Sequence, residues 1–135
     1  MTDTGHALIY CTLAVLALTW LGNVAARALF ALTAPSAPDT EPDDSTLRAG
    51  RVIGTLERTL IAAGLLTQRW EVLAAVIALK SVARFQELNK KEFAEYFLVG
   101  SLFSIFWALG VTALWIGYDA AFGLCLRASL LPGQP

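Results

Sequence analysis

From Phe97 to Tyr118 the chain runs 22 residues without a charged side chain, and that run decides which solvent it can fold in. Leu, Phe, Trp, Ile and Val dominate it. A helix of about 20 apolar residues matches the roughly 30 Å hydrocarbon thickness of a bilayer. A second run, Ala7 to Ala26, is charge-free for 20 residues. Two such runs in 135 residues predict a protein whose solvent is lipid. Composition agrees: 56% of residues are hydrophobic and 16% charged, against about 25% charged in an average soluble domain. The length leaves room for one compact unit. Ten Lys and Arg nearly balance eleven Asp and Glu, so no net field draws nucleic acid and that partner is not expected.

The N-terminus does not read as a secretory signal. It carries Asp3 and His6 but no Lys or Arg before the apolar run, and the run is long for a signal core. The stretch Ala34 to Ala37 resembles a cleavage site only weakly, so a retained first helix is expected. The expected fold is all-α: an integral membrane bundle of four transmembrane helices with a C-terminal interfacial helix. The helices are placed at about 7–32, 51–68, 70–88 and 91–118, and the interfacial tail at 119–131. The segment 33–50 holds three prolines and four acids and reads as a solvated loop. It is either a plain connector or a docking segment for a basic partner.

Four crossings put Arg27, Arg48, Arg51, Arg58, Lys80, Arg84, Lys90 and Lys91 on one side, and Arg69 and Arg127 on the other. Basic residues favour the cytoplasmic side. The expected location is therefore a bacterial cytoplasmic (inner) membrane, multi-pass, with both termini outside and the acidic loop inside. Trp70, Trp115 and Tyr118 then fall at the outer interface, where amphipathic rings settle.

The same topology gathers the ionised groups. Glu57 and Arg58 on the second helix, Lys80 and Arg84 on the third, and Glu95 on the fourth are expected at one level near the cytoplasmic side. Charge inside a bilayer is expensive unless paired or functional. Glu57 is the expected partner of Lys80. Glu95 is that of Arg84, with Glu87 as a local rival. Small residues mark the expected close-packing positions: Gly50, Gly54 and Gly64 on the second helix, Gly100 and Ser104 on the fourth. Three readings of the charged tier stay open. It locks the helices, it lines a polar path, or Lys80, Arg84, Lys90 and Lys91 hold an anionic lipid head group.

The segments GRVIGTLER (Gly50–Arg58), KSVARF (Lys80–Phe85) and EYFLVGSLFS (Glu95–Ser104) resemble a pattern of uncharacterised small polytopic bacterial membrane proteins. The resemblance implies that these three segments act together. It brings no activity with it.

No catalytic, cofactor-binding or metal-ligating residue stands out. The chain has no HExxH, GxSxG, P-loop or paired-cysteine motif. His6, the one histidine, reads as a solvated tail residue, and Cys11 and Cys125 read as unpaired thiols rather than a disulfide. No cofactor is expected. Four helices with no internal repeat and no interrupting proline do not look like a carrier. The expected function is a non-enzymatic membrane protein that self-associates or joins a larger membrane complex. An oligomeric ion-conducting pore is the alternative, and a lipid-modifying enzyme the third class.

Overall fold

Apolar residues on every face of a helix leave it no single buried side, and the chain answers with long helices that share a thin core. The computed structural model describes residues 3–33, 44–83, 85 and 91–130. The described elements are all helical, in the order α1 (Asp3–Leu16), a π turn (Ala17–Leu21), α2 (Gly22–Thr33), α3 (Asp44–Leu66), α4 (Trp70–Ala83), α5 (Lys91–Phe122) and α6 (Leu126–Leu130). α1, the π turn and α2 follow one another without a break, so they form one long rod. Two segments, Asp3–Leu32 and Leu98–Phe122, are long and apolar enough to cross a membrane.

The boundaries depart from the expected ones for local reasons. α3 starts at Asp44 rather than at residue 51. Its first residues, Asp44, Ser45 and Thr46, belong to the segment 33–50 expected as the acidic loop. Acids and hydroxyls suit the first turn of a helix, where N–H groups lack partners and the dipole favours negative charge. α4 covers 14 residues, a rise of about 21 Å. The helix was expected to reach residue 88, but it ends at Ala83 and Phe85 lies in a turn, its N–H donating to Val82 O at 3.2 Å; residues 84 and 86–88 lie outside the described residues. α5 continues to Phe122, four residues past the expected end. The tail is helical only over Leu126–Leu130. Residues 119–122, expected as tail, are the last turn of α5.

α3 is the hub, packing most extensively on α5 and α4. Ile61, Val76 and Ala108 form the buried centre, with Leu18, Leu65, Leu73 and Ile105 packed around it. A tight turn joins α3 to α4. Arg69 N–H donates to Gly64 O at 2.8 Å and Gln68 N–H to Leu65 O at 3.2 Å. Gln68 sits at φ 56°, a left-handed conformation that costs an L side chain roughly 1–2 kcal/mol. Glycine is the residue that ends helices this way without strain. Gln68→Gly is therefore expected to stabilise the hairpin by about 1 kcal/mol, read as a higher melting temperature in detergent. A neutral or lower value would show that Gln68 is held by something besides the turn.

Candidate functional site

Glu57 and Arg58 are neighbours on α3, so their side chains leave the helix about 100° apart and cannot serve the same partner. The fold uses both directions. Glu57 faces α4, where Lys80 Nζ lies 2.5 Å from Glu57 Oε2. The two side chains are 15% and 19% exposed, so the pair is largely but not wholly covered.

Arg58 turns the other way and is 2% exposed. Among the described residues it meets no carboxylate there. Its Nε donates to the Leu18 carbonyl at 2.8 Å, and its Nη2 donates to Asn23 Oδ1. The π turn makes this possible. Gly22 N–H reaches Ala17 O and Thr19 O, passing over the Leu18 oxygen that an α-helix would have used. The oxygen left over is the one Arg58 binds. Trp107 of α5 donates from Nε1 to Ala17 O at 3.0 Å, so two helices read adjacent carbonyls of the same turn. Asn23 in turn donates to Thr55 Oγ1 at 3.1 Å.

Gly22 is what lets these groups approach. A Cβ there would stand 2.9 Å from Arg58 Nε and 3.1 Å from Trp107 Nε1. Nothing in the sequence marked Gly22, because an isolated glycine in an apolar run carries no partner information.

A second polar group lies at the opposite end of α1. Asp119 of α5 is 1% exposed. Tyr10 Oη donates to its Oδ1 at 2.6 Å. The N–H groups of Leu126 and Arg127 donate to its two oxygens at 3.1 Å each. One carboxylate thus ties α1 to α5 and caps α6 from outside its own sequence. Gly123 permits the return, since a Cβ there would stand 2.7 Å from Asp119 Cα. His6 is not a solvated tail residue as expected. It is half-buried in α1, and its Nε2 lies 3.0 Å from Tyr118 Oη. The rings of His6, Tyr10, Trp115 and Tyr118 pack in a cluster at that end.

The expected packing residues divide. A Cβ at Gly64 would lie 3.0 Å from Val72 Cβ and 3.2 Å from Arg69 O, so Gly64 sets the approach of α3 and α4. Gly100 lies against the Phe30 ring of α2. Ser104 is buried on α5. Gly54 faces only the Arg58 side chain, and Gly50 has open space around it. The Gly50–Gly54 pair is therefore not a close helix contact within the chain: Arg58 lies against Gly54 and nothing lies against Gly50. The side chains of Arg84, Glu87, Lys90, Lys91 and Glu95 lie outside the described residues. Both cysteines are free thiols. Among the described residues no cluster of His, Cys, Asp and Glu could hold a metal ion.

Comparison with protein-family models, curated proteins and solved structures finds no match.

Two outcomes follow from this geometry. Arg58→Lys keeps the charge but cannot span both acceptors, and Gly22→Ala pushes the guanidinium off the turn. Each is expected to lower stability by about 1.5–3 kcal/mol, the range for a lost hydrogen bond to a charged group, in thermal melts in detergent. Unchanged melting in both would mean that Arg58 is not held at the π turn. Asp119→Ala strands the Leu126 and Arg127 amides and the Tyr10 hydroxyl. Tryptic cleavage after Arg127 should then run faster than in the parent chain, and equal rates would deny the cap.

Proposed function

We propose that this chain is a non-enzymatic, multi-spanning membrane protein of four transmembrane helices that acts by self-association or as a subunit of a membrane complex. Three observations support a lipid solvent. Only 17% and 22% of the apolar windows in Asp3–Leu32 and Leu98–Phe122 are buried inside the chain, far too little for the core helices of a soluble protein. Large apolar side chains also stand exposed on α3 and α4, among them Leu56, Leu60, Leu79 and Val82. A soluble monomer rarely leaves such surface uncovered. Finally, Cys11, Leu66 and Trp115 line one cavity, so the start of the chain, the α3–α4 turn and the end of α5 share one end of the molecule. That is the arrangement four alternating crossings require. It puts Tyr10, Trp115 and Tyr118 at the end that was expected to face outward.

The observation that carries the choice of function is Arg58. A residue lining an aqueous path would keep water on its guanidinium. Arg58 instead spends its donors on a main-chain oxygen and an amide of the first helical rod, out of contact with solvent. That is the behaviour of a lock between helices, and it leaves the outer faces free for assembly. Gly110 and Gly117 lie seven residues apart on one face of α5 with open space around both. Gly50 offers a similar bare patch on α3. Small residues on a lipid-facing helix let a second helix approach closely. The pore reading keeps one foothold, the Glu57–Lys80 pair, which is the less covered part of the tier.

The mass of the detergent-solubilised particle tests the assembly. A particle heavier than one chain is expected, shifting toward the monomer in Gly117→Leu. A strict monomer that copurifies with nothing would sink the proposal. Glu57→Gln and Lys80→Met should weaken folding without touching any conductance. Ion currents in planar bilayers that vanish in those variants would move the assignment to the pore.

A further inference from the structure

Between the Arg58 tier and the Asp119 tier the helices leave a cavity of about 280 Å³. Ala14 and Val15 of α1, Ala62 of α3, Thr112 and Trp115 of α5 and Leu126 of α6 are among the residues that line it. The cavity is half open to the surroundings rather than an enclosed void. It exists because two facing helices place alanine where a larger side chain would fill the gap.

The chemistry of the wall selects the occupant. It is apolar throughout, and Thr112 presents carbon to the space. A water needs two to four polar partners to stay in a cavity, and this wall supplies none. An ion or polar solute fails for the same reason. An engineered apolar cavity of about half this volume stays dry and accepts benzene or xenon. Access lies along Val15, which is 57% exposed, with Leu13 and Leu16 exposed on the same stretch of α1. At the far side Leu126 forms part of the wall, held there by its N–H to Asp119.

We infer that this cavity takes one hydrocarbon chain of a membrane lipid, entering past the exposed Val15 of α1. The inference rests on the membrane reading above, since lipid tails are then what surrounds the mouth. The polar tiers set its depth: Leu18, whose carbonyl holds Arg58, closes one end, and the capped α6 closes the other. A bound chain would act as a packing element that the sequence does not encode.

Trp115 on the wall provides the readout. The full chain is reconstituted in nanodiscs of dioleoyl phosphatidylcholine, with rising fractions of the same lipid carrying brominated tails. Trp20 and Trp70, exposed at 67% and 65%, report bulk lipid and should quench gradually. Trp115 should add a component that saturates at low brominated fraction and is missing in Trp115→Phe. Ala14→Leu fills the space beside Val15 and should also remove that component; Ala62→Phe, on the buried part of the wall, should do the same if it folds. Gradual quenching alone in the parent protein would overturn the inference and leave an empty cavity. So would a saturating component that survives Ala14→Leu in a folded variant. Absence of quenching at every tryptophan would instead overturn the membrane reading itself, and the cavity proposal with it.

Discussion

The register of the first helical rod against α3 is set by one directional contact, the Arg58 guanidinium against the Leu18 carbonyl. A buried cation needs either a counter-charge or enough oriented dipoles to replace its hydration. Here the dipoles come from backbone that a π turn has released, with the Asn23 amide beside it. The arrangement works only while Gly22 stays bare and Trp107 occupies the neighbouring oxygen. Leu18 also packs beside Ile61 and Ala108 in the small core, so the polar contact and the apolar one reinforce each other at the same residue.

Division of labour between Glu57 and Arg58 gives the α3 hub two different kinds of attachment. Toward α4 it uses opposite charges, which are strong at short range and tolerant of angle. Toward the first rod it uses directional hydrogen bonds to a main-chain oxygen, which fix both depth and rotation. The hairpin partner α4 already follows α3 through a short turn, with Gly64 setting the approach. The first rod is joined to α3 through the long acidic, proline-bearing segment and has no such tether. The more exacting contact is found where the chain itself gives the least guidance.

Much of the fold class was legible because it rests on run length. Charge-free stretches announce long helices whatever their contacts are, and the acid–base complementarity of Glu57 and Lys80 follows from sign and height alone. What could not be read was any role played by main-chain atoms. No residue pattern shows that Ala17–Leu21 form a π turn, so the partner of Arg58 had no side-chain signature. Asp119 looks like the start of the tail for a related reason: a lone acid after an apolar run reads as an exit into water. Its burial depends on Tyr10, far away in sequence, and on a chain reversal at Gly123 that turns two amides back toward it. His6 was misread with it, because its partner Tyr118 belongs to the same end-cluster.

The π turn has one more effect. It holds one residue more than the α turn it replaces, so the sequence before it is rotated by about 100° against the sequence after it. Cys11 and Ala14 can thus look toward the apolar cavity while Asn23, on the same rod, looks toward the guanidinium. An unbroken α-helix of the same composition would satisfy one of these views and turn the other into the surrounding solvent. The extra residue is a phase correction written into the backbone.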